Sequence, residues 1–163
     1  MYSDAAWEPS DEEVFTGMGA VIFSSIKKQA AAGEAPKVFV NGLLNRKTQI
    51  IPLELVAAIA AMHTWEDLLK GQLVLIWIDN QSVCAAIASG ASAAEDLHAL
   101  VAGLHWFCAE RHIGLWVEWL PSGTNPADQP SRAGVSSLVP ETVSLRIPDW
   151  CVNWRNIVPA LSV

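Results

Sequence analysis

The sequence predicts an α/β fold in which helices flank a mixed five-stranded sheet, an antiparallel meander continued by βαβ crossovers. Three β-compatible segments, around residues 1–7, 17–25 and 37–44, follow one another near the N-terminus, and a polar connection over residues 27–36 joins the last two. Two later strands are separated by helices, so they are expected to be parallel neighbours. The length of 163 residues suits a single domain with a substantial core.

Three helices are predicted after the meander. The first begins at Pro52, because a proline at the first helical position lacks only an N–H that would have no helical acceptor, and it closes at Gly71. Apolar residues recur between them at the helical spacing of three and four residues. A short helix over residues 82–89 stops at Gly90, and a longer helix covers about residues 94–112.

The two later strands have different patterns. Residues 73–78 (LVLIWI) are a continuous apolar run, which is typical of a central strand buried on both faces. Residues 113–120 alternate as the last strand, and the loop PSGTNPADQP follows it. Pro130 is expected to cut short any helix in that loop.

Composition limits the classes of protein that fit. Apolar residues make up 52% of the chain and charged residues 17%, which indicates a globular domain. No apolar run reaches the 18 or so residues of a membrane span, and no secretory signal is visible. Three cysteines without CxxC spacing favour a reducing compartment. We therefore expect a protein of the cytoplasm or nucleus that is neither secreted nor bound to a membrane.

Four carboxylates fall where an α/β fold builds its sites. Asp4 lies in the first strand, Glu54 in the first turn of the first long helix, Asp79 at the end of the most apolar strand, and Asp128 in the loop after the last strand. Converging acids need cations to remain ionised, and hard oxygen ligands select Mg²⁺ or Mn²⁺. Two such ions can activate water and stabilise the leaving oxygen of a phosphodiester. Taken singly, Asp79 also fits a helix cap, Glu54 a partner of the helix dipole and Asp128 a turn acid.

These residues lie in segments that resemble the ribonuclease H domains of retroelement reverse transcriptases, most closely those of DIRS/Ngaro-type elements. The segments cover about residues 2–132 and keep the family's order: YSDAAW, GMGAVIF, IPLELVAA, LIWIDNQSV and WLPSGTNPADQPSR. The resemblance implies a ribonuclease H-like catalytic domain over residues 1–132, and residues 133–163 are then a C-terminal extension packed on it or trailing from it.

The same resemblance implies the activity and the site. The acids matching Asp4, Glu54, Asp79 and Asp128 would hold two Mg²⁺ or Mn²⁺ ions, and the enzyme would hydrolyse the RNA strand of an RNA–DNA hybrid. It also implies that Asn80 and Ser82 lie near the substrate backbone and that Asn125 braces the last acid's loop. From the residues alone, Trp7 is expected at the site mouth, and Arg132 fits a phosphate contact and a structural salt bridge equally well.

The net charge and a missing histidine suggest a slow enzyme that is tethered to another domain. A net charge of −7 predicts that the domain alone binds a hybrid weakly. We expect the domain to be a monomer, and a polymerase domain in the same chain would supply much of the affinity for the hybrid. The chain would then be part of a longer polyprotein. Cellular ribonucleases H usually have a histidine in the loop ahead of the last acid, which assists water or product release. Residues 121–124 contain no histidine, so the resemblance implies slow turnover. A basic rim has only four candidates: Lys27, Lys28, Arg46 and Lys47.

Other interpretations of the sequence remain. Four histidines could suggest zinc, but no third ligand accompanies His98 and His105, and packed or surface histidines fit better. Most of the eight tryptophans, including Trp65, Trp77 and Trp106, lie in apolar periodicity and are expected in the core. Two rival functions are a catalytically silent ribonuclease H-like scaffold and a superfamily nuclease that acts on DNA.

Overall fold

The fold alternates strands and helices, and the computed structural model describes residues 1–10 and 14–157 of it. The strands are β1 (Tyr2–Ala5), β2 (Glu8–Pro9), β3 (Val14–Phe15), β4 (Gly17–Phe23), β5 (Lys28–Glu34), β6 (Leu73–Ile78), β7 (Gly114–Trp119) and β8 (Thr142–Ser144). The helices are α1 (Lys37–Gly42), α2 (Ile50–Thr64), α3 (Glu66–Leu69), α4 (Gln81–Ser89), α5 (Glu95–Glu110), α6 (Asp128–Ala133) and α7 (Asp149–Val152). Short 3₁₀ turns cover Ser122–Thr124 and Trp154–Asn156.

Six strands form one mixed sheet in the order β7-β6-β1-β4-β5-β8, and β2 pairs with β3 as a separate ribbon. β4 is antiparallel to both β1 and β5, whereas β6 runs parallel to β1 and β7 parallel to β6. The predicted α/β fold with a mixed sheet flanked by helices is therefore confirmed. The predicted strand number is one too low, because β8 adds a parallel strand beside β5.

The third strand was placed wrongly by the sequence prediction. Residues 28–34, expected to be a polar connection, form β5 and pair with β4 along its whole length from Gly17↔Glu34 to Phe23↔Lys28. Residues 37–44, expected to be the strand, instead form α1 after Pro36. Alanine and glycine have little intrinsic strand preference, so the tertiary pairing with β4 decides the conformation of this segment.

Helix α2 is the buried centre of the helical layer. Each residue from Pro52 to Met62 is buried, because α2 contacts β1 and β4 on one side and α5 on the other. It begins at Ile50, before the predicted start, and ends at Thr64; α3 then precedes Gly71. None of the described helices is long and apolar enough to cross a membrane.

Strand β6 is not buried on both faces, contrary to the prediction from its apolar run. Val74, Ile76 and Ile78 face the helices and are buried, whereas Leu73 on the opposite face is 93% exposed. The reason is that α2, α4 and α5 contact the same side of the strands, while α6 contacts only β1, β4 and β5 on the other. The outer half of that second face, at β6 and β7, is left open.

The C-terminal segment contributes to the core. Cys151 in α7 is fully buried and Trp154 is 2% exposed, and both belong to the main apolar cluster. Three tryptophans were predicted to be core. Trp65 is buried and Trp77 is partly buried, but Trp106 is 57% exposed on α5, so its assignment to the core was wrong.

Candidate metal centre

Three carboxylates converge at one edge of the sheet. Asp4, Glu54 and Asp79 each offer an oxygen atom, and these atoms all lie within 4.8 Å of one another. The parallel pairing of Tyr2 with Trp77 explains the approach of the two aspartates, because each lies two residues beyond this pair in the same direction. Three separate elements therefore bring their acids to a single point that could hold a metal ion.

Glu54 reaches this point from the helical layer. It lies in the second turn of α2, rather than the first as expected, because α2 begins at Ile50. Packing of α2 across β1 leaves Glu54 only 4% exposed, and Asp4 is 3% exposed. A carboxylate removed from water in this way is costly unless something compensates its charge.

Burial and neighbouring charges raise the pKa values of two of the carboxyl groups. Burial, reinforced by the charges of Asp4 and Asp79, raises the pKa of Glu54 to about 10. Burial also raises the pKa of Asp4 to about 6, although the hydrogen bond from the Ser131 hydroxyl opposes that shift. In the absence of a cation, the cluster therefore retains a proton on Glu54 at neutral pH.

Two oxygen atoms of the cluster have unmet bonding capacity. Glu54 Oε2 and Asp79 Oδ1 are buried and have no hydrogen-bond partner outside the cluster; a protonated Glu54 can bond only to Asp79 there. A buried polar atom without a partner costs about 1–3 kcal/mol. A divalent cation bound to both oxygens would remove that cost, and three carboxylates are the hard donor set that Mg²⁺ and Mn²⁺ prefer. The residues therefore fit such an ion.

The fourth predicted ligand, Asp128, lies beside this group and outside it. It is the first residue of α6, and its Oδ1 accepts a hydrogen bond of 2.9 Å from Arg132 Nε. The helix runs past Pro130, which was expected to cut it short, and ends at Ala133. Pro130 is only its third residue, where an N–H has no helical acceptor to lose.

Two predicted substrate residues cap a helix. Asn80 Oδ1 accepts hydrogen bonds from the backbone N–H groups of Ser82 (3.0 Å) and Val83 (3.3 Å), which fixes the start of α4. Asn80 thus fills the capping role that was the alternative explanation for Asp79. Ser82 is exposed in the first turn of α4, next to the end of β6.

The other three predicted substrate residues have different environments. Asn125 is buried; its Nδ2 donates to the Ser3 carbonyl and its Oδ1 accepts from Ala127 N–H, so it braces the loop before Asp128. Trp7 is partly buried against the main core. Arg132 forms ion pairs with Asp128 and Glu8, the structural role that was weighed against a phosphate contact.

Two contacts to the cluster were missed. The Ser131 hydroxyl donates to Asp4 Oδ2, and the Trp119 indole N–H donates to the Asp79 carbonyl at 3.1 Å. Ser131 belongs to the PSR end of the last quoted motif, so the motif held a usable signal. No such signal marked Trp119.

Gly19 allows α6 to approach the sheet closely, and alanine at this position is expected to disturb the site. An added Cβ would lie 2.3 Å from Ser131 N and 2.6 Å from the Ala127 carbonyl oxygen. Backbone atoms cannot swing aside, so we expect Gly19→Ala to lower the free energy of unfolding by about 1–3 kcal/mol. Urea denaturation measures this. Gly33→Ala is the control, since its Cβ comes no closer than 3.4 Å to Leu145; equal effects of the two changes would contradict the close approach.

Comparison with known proteins does not assign the chain to a family. A scan of protein-family models finds none that matches the chain, and a search of curated proteins finds no significant match. The assignment of function therefore depends on the site itself and on the motif resemblance.

Proposed function

We propose that the protein is a ribonuclease H, a Mg²⁺- or Mn²⁺-dependent endonuclease that hydrolyses the RNA strand of RNA–DNA hybrids as part of a retroelement reverse transcriptase. One observation carries the proposal: two buried carboxylates and a partly buried one meet within 4.8 Å, and two of their oxygens have no hydrogen-bond partner outside the cluster. Their positions in a central strand, a packed helix and the end of the neighbouring strand are those that the motif resemblance implies.

The chain's own groups would each have a defined task. Asp4, Glu54 and Asp79 would hold the cation, which when bound supplies the charge stabilisation that phosphodiester hydrolysis requires. Ser131 fixes the rotamer of Asp4 by its hydrogen bond. Trp119 anchors the backbone of Asp79, so the carboxylate at the end of β6 keeps its direction.

The expected basic rim does not adjoin this centre. Lys28 pairs with Phe23 while Asp4 pairs with Gly19, so Lys28 is displaced along β4 by four residues, about 13 Å. Arg46 is committed to the buried carboxylate of Asp96. A site with so few free cations near it favours an enzyme whose hybrid is held by another module, here a polymerase domain in the same chain.

A silent scaffold is the weaker alternative. A module that only binds other proteins gains nothing from the buried oxygens of Glu54 and Asp79, which reduce stability when they are unpaired. In a scaffold, replacement of these residues would raise the stability of the fold without loss of function. Their presence is explained by cation binding.

Cleavage assays with Asp79→Asn test the proposal. The wild-type chain is incubated with a hybrid labelled on both strands, in Mg²⁺ and in Mn²⁺, beside duplex DNA and duplex RNA. Because a metal supplies several kcal/mol of transition-state stabilisation, we expect at least about 100-fold slower RNA-strand cleavage by Asp79→Asn. Asp67→Asn, at an exposed acid of α3, is the matched control. Cleavage that survives in Asp79→Asn would overturn the assignment, and cutting of DNA alone would favour the DNA-nuclease alternative.

A further inference from the structure

Arg132 forms a two-sided contact beside the candidate centre. Its Nε donates to Asp128 Oδ1 at 2.9 Å, and its Nη1 donates to Glu8 Oε1. The first contact lies within α6, at the i,i+4 spacing, and the second links α6 to β2. The Asp128 carboxylate is therefore held on the outer side of α6 by a charge that is itself fixed from two directions.

Asp128 nonetheless remains within electrostatic range of the cluster. Its charge contributes to the raised pKa of Asp4, and the charge of Arg132 opposes that contribution. Ser131 connects the two places directly, because its hydroxyl donates to Asp4 Oδ2 and also approaches the Asp128 backbone carbonyl at 2.9 Å. Asp128 and Asp4 are therefore joined through one side chain, that of Ser131.

We propose that Arg132 is a positioning residue that holds Asp128 away from the three-carboxylate group and releases it when a second divalent cation binds. This inference rests on the proposed function, since it assumes that Asp4, Glu54 and Asp79 bind the first cation. The resting state then has a site for one cation, and the fourth carboxylate completes a second site only after it leaves Arg132.

The strength of the contact suits a reversible restraint. The Arg132 and Asp128 side chains are 51% and 49% exposed, and ion pairs with such exposure stabilise proteins weakly. A divalent cation presents a larger charge to Asp128 than a guanidinium does, so it can compete for the carboxylate. Loss of a contact of this strength corresponds to a change of about two- to five-fold in the affinity for the second cation.

Mn²⁺ titration followed by electron paramagnetic resonance of the free ion tests the inference on the full chain. The wild type, Arg132→Met, Asp128→Asn and the double variant are compared, with the first and second dissociation constants fitted separately. We expect Arg132→Met to tighten the second site about two- to five-fold relative to the first. In the Asp128→Asn background the same change should have no such selective effect, because the carboxylate it releases is absent.

The double variant separates this role from a general effect of removing a positive charge. A general effect would tighten both sites, and would do so with or without Asp128. An equal change in the two backgrounds, or a weaker second site in Arg132→Met, would overturn the positioning role while leaving the ribonuclease proposal intact. Absence of any Mn²⁺ binding by the wild type would instead overturn the proposed function.

Discussion

Glu54→Gln is expected to raise the free energy of unfolding of the cation-free protein by about 1–3 kcal/mol at pH 8, and to abolish cation binding. The glutamine amide is neutral and similar in shape, and it can donate hydrogen bonds to Asp4 and Asp79. The substitution removes a buried acid whose oxygen has no partner outside the cluster. The wild-type acid ionises readily in the unfolded chain, which favours unfolding, and the variant has no such group.

The gain is expected to depend on pH in one direction. Glu54 keeps its proton in the folded state up to a pKa of about 10, but loses it near its ordinary value of 4.5 when the chain unfolds. Between these values the folded state binds more protons, so wild-type stability falls as the pH rises. Asp4, with a pKa raised from 3.8 to about 6, adds a loss of the same sign over a lower range. The Glu54→Gln variant does not lose stability through position 54. Its free energy of unfolding should therefore exceed that of the wild type slightly at pH 5 and by a larger amount at pH 8.

Thermal denaturation from pH 5 to 9, with and without Mn²⁺, measures both effects. Mn²⁺ should stabilise the wild type increasingly as the pH rises, because binding displaces the Glu54 proton, and it should leave Glu54→Gln unchanged. Glu34→Gln, at an exposed carboxylate of β5, is the matched control and should follow the wild type. Parallel stability curves for wild type and Glu54→Gln would show that Glu54 is not the strained acid of the cluster.

Trp154→Ala is expected to lower the free energy of unfolding by about 3–5 kcal/mol, the usual cost of deleting a large buried aromatic side chain. Trp154 is 2% exposed and belongs to the main core, although it lies near the end of the described chain. Urea denaturation measures the change. If the C-terminal segment merely trailed from the domain, the alanine variant would unfold like the wild type.

A second variant at this position separates packing from hydrogen bonding. The Trp154 indole N–H is buried and has no partner. Trp154→Phe keeps an aromatic ring and removes that unpaired donor, so it should cost less than half as much as Trp154→Ala. Equal costs for the two changes would mean that the indole N–H has a partner in solution.

Strong local patterns explain what the sequence predicted correctly. The apolar run of β6 and the Gly90 that ends α4 in a left-handed conformation, with φ of 71°, both leave direct marks in the sequence. β5 leaves none, because its alanines and glycine become a strand only through pairing with β4. The open face of β6 was equally unpredictable, since it reflects where distant helices pack rather than which residues form the strand.

The candidate centre likewise has features that the sequence predicts and features that it does not. Asp4, Glu54 and Asp79 follow from their places in a strand, a helix and a strand end, because sheet topology alone brings those places together. The direction of the Asp128 side chain depends on Arg132, and that of Arg132 partly on Glu8 at the other end of the chain. Rotamer choices set by long-range contacts have no periodic signature in a sequence.

The central position of β1 has a consequence for biosynthesis. Residues 2–5 are translated well before their parallel neighbour β6, and the Ser131 that orients Asp4 is made later still. The edge of β1 that pairs with β6 must therefore remain unpaired while residues 6–72 are translated, a period in which exposed strands invite misassembly. The proposed nuclease activity consequently cannot arise before β6 and α6 have been made, and the candidate centre matures only after both.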